Sequence, residues 1–182
     1  MITPNYVFMK HTLLLLSCTA LLLIGFSCKK GDKGDPGPAG TANVFYSAWF
    51  TPSAYTKDTV FSIWGFNYNK TAPQITQQVL DSGTVLTFGK LLGYNPSVWP
   101  ATQVSQLPIT LTYNSGGTTR DTWSALLSPG NLRIRMINDR NVYDSIAVLH
   151  QFRYIIIPGG QPLARIAALS YEEVCKKYNI PE

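Results

Sequence analysis

A general base needs a partner within hydrogen-bonding reach, and beyond residue 27 the chain has one histidine, His150, in the run Ile146-Ala147-Val148-Leu149-His150-Gln151-Phe152. A lone histidine in a strand reads as structural. Asp81, Asp121, Asp139 and Asp144 could supply the two carboxylates of a glycosidase, but nothing in their spacing selects a pair. Solvated turns are the simpler reading for all four. Asp139 and Asp144, with Asn138 and Asn141, offer oxygens to calcium without the EF-hand spacing. The chain contains no G-x-S-x-G elbow, no H-E-x-x-H, no C-x-x-C and no phosphate-cradling glycine loop. No catalytic residue, metal site or cofactor is therefore expected. Binding is the chemistry that remains. The four tryptophans, Trp49, Trp64, Trp99 and Trp123, exceed the obvious needs of a small core, and exposed aromatic faces stack on sugar rings. Trp64 alternates with Phe66 and Tyr68 as one stripe, and Trp99 stands between Pro96 and Pro100 in an expected loop. Trp99 and Trp64 are thus the candidate ligand-binding residues, with core packing as the competing reading because strands are aromatic-rich.

Composition sets the frame for these side chains. The 182 residues are 45% hydrophobic and 14% charged, which favours a packed core over disorder. Fifteen Lys and Arg against ten Asp and Glu give a formal charge of +5. The excess is spread along the chain, so nucleic acid is not an expected partner. Residues 13–26 form a 14-residue apolar stretch. That fits the roughly 7–15 of a signal h-region and falls short of the about 18–20 that span a bilayer as a helix. Met9-Lys10 makes a usual n-region, so Met1 and Met9 both stand as starts. Ser27-Cys28, where the chain turns polar, resembles the lipobox of bacterial lipoproteins, with Gly25 at the place where that pattern prefers leucine.

The lipobox resemblance implies cleavage before Cys28, a diacylglycerol on its sulfur and an acyl chain on the freed amine. Each buried methylene contributes about 0.8 kcal/mol, so several chains anchor durably where one would not. Lys29, in place of the aspartate that holds lipoproteins at the inner membrane, implies transport to the outer membrane, with the periplasmic and surface-exposed faces both open. With Cys18 removed and Cys28 acylated, Cys175 is left alone. No disulfide is then expected within the mature chain, and Cys175 reads as a half-buried structural cysteine.

After the lipobox, Gly31-Asp32-Lys33, Gly34-Asp35-Pro36, Gly37-Pro38-Ala39 and Gly40-Thr41-Ala42 are four Gly-X-Y triplets in unbroken phase. Glycine at every third residue is what the axis of a collagen triple helix demands. Four triplets support a trimer weakly, and a polyproline-II spacer is the preferred reading. At ~3.1 Å per residue it would extend about 37 Å. The lipobox, this tract and the following Asn43-Val44-Phe45-Tyr46-Ser47-Ala48-Trp49-Phe50 resemble collagen-like surface lipoproteins of Bacteroidota type. Residues 75–86, 152–160 and the closing Tyr171-Glu172-Glu173-Val174 are similar to that group too. The resemblance implies an envelope location and carries no activity, ligand or site residues.

The elements that must position the aromatics are mostly strands. Leu107, Ile109, Leu111 and Tyr113 share one face and Thr110 and Thr112 the other, the alternation of a half-buried strand. Leu132, Ile134 and Met136 repeat it, with Arg133 and Arg135 between. Further strands are expected at 44–50, 60–68, 84–92, 121–127 and 146–157, with turns at 114–117, 128–131 and 158–160. A short helix is expected at 75–80. A second should start after Ser170, with Glu173 completing a capping box, Leu169 and Val174 forming a staple, and Pro181 ending it. The expected organisation is a signal peptide over 1–27, a lipidated tether over 28–42 and one domain over 43–182. That domain is mainly β, an antiparallel sandwich or barrel-like sheet with a short C-terminal helix. The functional expectation is a membrane-tethered protein that binds a glycan or protein ligand or serves a structural role. The alternative is an envelope enzyme of unrecognised type, possibly one acting on glycans.

Overall fold

The alternating stretches pair as antiparallel strands. The computed structural model describes residues 43–159 and 168–182, all within one compact unit, Thr41–Glu182. The expected signal peptide and tether, Cys28 included, lie outside the described residues. The strands are β1 (Phe45–Tyr46), β2 (Thr56–Val60), β3 (Ile63–Thr71), β4 (Thr84–Lys90), β5 (Ser105–Gln106), β6 (Ile109–Asn114), β7 (Thr118–Ser128), β8 (Asn131–Asn138) and β9 (Gln151–Ile157). Helix α1 (Gln77–Ser82) precedes β4, and helix α2 (Tyr171–Tyr178) follows β9. Two sheets result, in the orders β1-β9-β4-β5 and β2-β3-β8-β7-β6, with every described pairing antiparallel. The architecture is a β-sandwich with a helix on one outer face.

Strand β9 shows why there are three layers. Period-2 geometry sends Phe152, Tyr154 and Ile156 to one side, where they join Trp123, Ile134 and Met136 of the five-stranded sheet in the larger core. Ile155 and Ile157 point to the other side and meet Leu86, Phe88 and the Tyr171, Val174 and Cys175 face of α2. A strand covered on both faces must be apolar at nearly every position, and Phe152 to Ile157 are all buried. Each such side chain contributes about 1.5–3 kcal/mol on leaving water.

Helix α2 starts as its sequence demands. The Ser170 side chain accepts from the Glu173 amide, the Glu173 carboxylate accepts from the Ser170 amide, and Asn179 ends the helix in the left-handed region. Leu169 and Val174 pack in the same apolar cluster. Cys175 is a free thiol with only 2% of its surface exposed, more deeply buried than expected, and burial pushes its pKa up.

Four expected boundaries shift. The 60–68 stretch holds a turn, because Phe61 and Ser62 both take positive φ (48° and 65°) and fold β2 onto β3. The 44–50 stretch shortens to β1 plus a bridge from Phe50 to Phe152. Helix α1 begins at Gln77 with Thr76 as its cap, while Ile75 is fully buried and its carbonyl accepts from Gly130. Residues 146–150 are not strand; β9 starts only at Gln151. Gly65 in β3 has a packing reason: a Cβ there would overlap the Arg135 guanidinium and the Asp58 carboxylate, which form an ion pair across the sheet at 2.7 Å.

Candidate functional site

Antiparallel pairing puts the ends of β6 and β8 beside the starts of β7 and β3 in one sheet and the end of β4 beside the start of β9 in the other, and the Tyr94–Asp121 hydrogen bond and the Trp123–His150 contact bring these two ends together. The loops they carry meet around Asp121. This side chain, expected in a solvated turn, has no exposed surface at all. Its Oδ2 lies 2.9 Å from the Tyr94 hydroxyl, 3.1 Å from that of Tyr113 and 3.0 Å from that of Tyr143. Its Oδ1 accepts from Asn138 Nδ2 at 2.6 Å. Tyr94 itself accepts from the Trp123 indole N–H at 3.1 Å, so its one proton goes to Asp121. The Tyr113 and Tyr143 hydroxyls also contact each other. Burial, reinforced by the nearby carboxylate, raises the pKa of all three phenols, which stay protonated as donors. A buried carboxyl surrounded by four side-chain donors binds loops together. With no exposed surface, it is out of reach of a substrate proton or an entering metal.

Above this hub is an open cleft of about 290 Å³ between the segment after β4 (Leu92, Gly93, Tyr94) and the loop before β9 (Tyr143 to His150). Trp123 and Met136 form its floor. The volume is near the lower limit for small-molecule sites. His150, only 5% exposed, lines it. The imidazole sits edge-on to Trp123 at 4.5 Å between centroids and stacks on Tyr94 at 6.1 Å. Its Nδ1 accepts from the Leu92 amide at 3.1 Å, so in the neutral ring the proton is on Nε2. Burial lowers the His150 pKa to about 4, which keeps the ring neutral at pH 7. Its basic lone pair is occupied by a backbone N–H, so it cannot serve as a general base, while Nε2–H makes no hydrogen bond among the described residues. The sequence reading of His150 as structural covers Nδ1 and misses Nε2.

The two candidate tryptophans lie elsewhere, and neither lines the cleft. Trp64 is half-buried against the larger core, its amide donates to Asn141, and the Lys57 ammonium sits 3.3 Å from its ring centroid. Phe66 and Tyr68 face the same core, so the stripe packs inward. Trp99 is also half-buried against that core, with its indole N–H enclosed and without a partner among the described residues. The suggested calcium oxygens serve the loop itself. Asn138 Oδ1 accepts from the Arg140 and Val142 amides, Asp139 accepts from the Arg120 amide, and Asn141 donates to the Ser62 carbonyl. Asp144 is 3.8 Å from Lys57.

No family model, no curated protein and no solved structure matches the chain. Function has to be argued from the side chains. A second cavity, about 560 Å³, lies between residues 103–108 and the start of α2. The polar groups of Ser170 and Glu173 on that wall are occupied by the capping box. The second cavity encloses the partnerless Gln106 Oε1 but borders, at Ala168, residues outside the described ones. The cleft beside His150 is the better candidate because its lining converges from loops described throughout, and the Nε2–H of a side chain only 5% exposed makes no hydrogen bond among the described residues. Sequence reading passed over Tyr94 and Tyr143, two loop tyrosines far apart in the chain. The usable signal was Ile146-Ala147-Val148-Leu149, an apolar run next to a polar loop.

Proposed function

We propose that this chain is a lipid-anchored outer-membrane or cell-envelope protein whose β domain binds a ligand at its loop end. The observation that carries this reading is the polarity of β9. Phe45, near the point where the chain joins the domain, pairs with Ile156, whereas His150 of the cleft directly precedes Gln151 at the other end of that strand. The six steps from Ile156 back to His150, at ~3.3 Å each, separate the two by about 20 Å. The start of the described domain, at residue 43, is therefore near the end of β9 remote from the cleft. Support for the anchor comes from Ser27-Cys28 and the Gly-X-Y tract. Binding is favoured over catalysis because the Asp121 carboxyl is surrounded by donors and the His150 lone pair is occupied.

The ligand is a glycan or a protein. Protein recognition has its own observation: Phe61, at the β2–β3 turn of the same end, is 97% exposed, and Asn141 braces the turn through Ser62 and Trp64. Labelling with a palmitate analogue tests the anchor. Wild-type chain should incorporate the label and fractionate with outer membranes, and Cys28→Ser should do neither. Equal labelling of both chains would remove the localisation.

A further inference from the structure

The chemistry of the cleft lining selects among ligands. None of its lining side chains carries a charge at neutral pH. A phosphate, carboxylate or ammonium group entering it would lose water without gaining a counter-charge, which costs several kcal/mol. The apolar contacts come from Met136, Ile146 and Leu149, and aromatic surface comes from Tyr94 and Tyr143. The phenol protons of those tyrosines are committed to the Asp121 cluster. Two polar side-chain groups without a hydrogen-bond partner among the described residues remain on the lining, the Ser145 hydroxyl at the exposed rim and the His150 Nε2–H, on a side chain 5% exposed. Because Nδ1 already accepts from Leu92, the ring can only donate.

A fitting ligand is therefore neutral, has a small apolar group, and presents one acceptor oxygen. A simple hexose fits poorly, since its hydroxyl protons would find few free acceptors in the cleft. An acetamido group fits, with a carbonyl oxygen for Nε2–H, a methyl for the apolar wall, and a sugar ring able to stack on a tyrosine face. We propose that the cleft is a binding site for an N-acetylhexosamine residue of a glycan, with the acetyl carbonyl accepting from His150 Nε2–H. This deepens the binding reading of the loop end and rests on it.

The test uses the purified full chain in detergent and saturation-transfer NMR with N-acetylglucosamine, glucose and an N-acetylated amino-acid amide. The expected result is transfer to the acetyl methyl of the amino sugar and little to glucose. His150→Ala should weaken binding by about tenfold, the loss of one hydrogen bond. His150→Gln should largely restore it, because an amide can accept from Leu92 and donate into the cleft. Leu149→Asp, at an exposed rim position, should abolish binding without touching the core. Equal binding of glucose, or binding that survives both His150→Ala and Leu149→Asp, overturns the proposal. Tighter binding of the amino-acid amide overturns it in favour of a peptide ligand and leaves the binding reading standing. Failure of all three probes overturns the sugar assignment; the anchor stays testable by labelling of Cys28.

Discussion

Asp121 and Arg153 are both ionisable side chains held out of water, at 0% and 3% exposure, and neither forms an ion pair among the described residues. Their surroundings differ. Asp121 collects side-chain donors from β8 and from residues scattered between Tyr94 and Tyr143. Arg153 does the reverse and gives its protons to oxygens that are mostly backbone. Its Nε donates to the Ser47 carbonyl at 2.9 Å, and its Nη1 to the Pro181 carbonyl and the Tyr171 hydroxyl, both at 2.6 Å. The Tyr46 ring covers the guanidinium at 4.9 Å. The carboxyl ties together loops that rest on the edge of the larger core, with an open cleft between them. The guanidinium braces segments that the α2 core already holds. A polar hub can organise a binding end, whereas a polar strut reinforces a packed one.

The strongest way to break this contrast is Asp121→Ala, which leaves the buried Asn138 and three half-buried tyrosines without their acceptor. A loss of about 3–5 kcal/mol in chemical denaturation is expected; a loss below about 1 kcal/mol would mean that the hub holds nothing. Acid gives the next largest effect, confined to the cleft end. With the His150 pKa lowered to about 4, the unfolded chain takes up a proton near pH 6.5 that the folded chain refuses. Stability is therefore full above about pH 6.5 and drains as pH falls toward 4, by about 3 kcal/mol. His150→Gln should flatten that part of the pH profile, and an unchanged slope would contradict the burial of the ring.

Arg153→Met should cost about 2 kcal/mol, since three oxygens lose a donor while the chain length is kept. Its signature is local: labelling of the buried Cys175 thiol should accelerate, as it should not in a hub variant such as Tyr143→Phe. Equal acceleration in both would merge the two regions into one cooperative unit. The smallest effect sharpens the comparison from the turn. Phe61→Asn places a residue that tolerates positive φ where phenylalanine now sits at 48°. It should stabilise by up to about 1 kcal/mol in a melting experiment. A destabilised variant would show that the exposed ring packs on the turn.

Local patterns were legible. The alternation at Ile109 to Tyr113 and Leu132 to Met136 reappears as β6 and β8, and the Ser170–Glu173 box reappears atom for atom. The β2–β3 turn was hidden because Phe61-Ser62 contains none of the residues that tolerate positive φ. The run at 146–149 looked like strand because it is apolar. It is a loop whose apolar side chains line the cleft and its rim, and they do not alternate across a sheet. Asp121 looked like any aspartate near a turn, since its tyrosine donors lie up to 27 residues away.

By itself the sequence determined periodicity, caps and most turns, each set by the steric and hydrogen-bonding preferences of residues a few positions apart. It also carries the Ser27-Cys28 and Gly-X-Y signals on which the proposed anchoring rests. Tertiary structure decided which polar groups lost their water. Antiparallel pairing and the loops it joins brought Tyr94, Tyr113, Asp121, Asn138 and Tyr143 to one end of the sandwich, and Tyr94 stacked on His150 with Trp123 edge-on to it left one imidazole N–H without a partner among the described residues. Desolvation depends on neighbours from every strand at once, so no local stretch of residues encodes it.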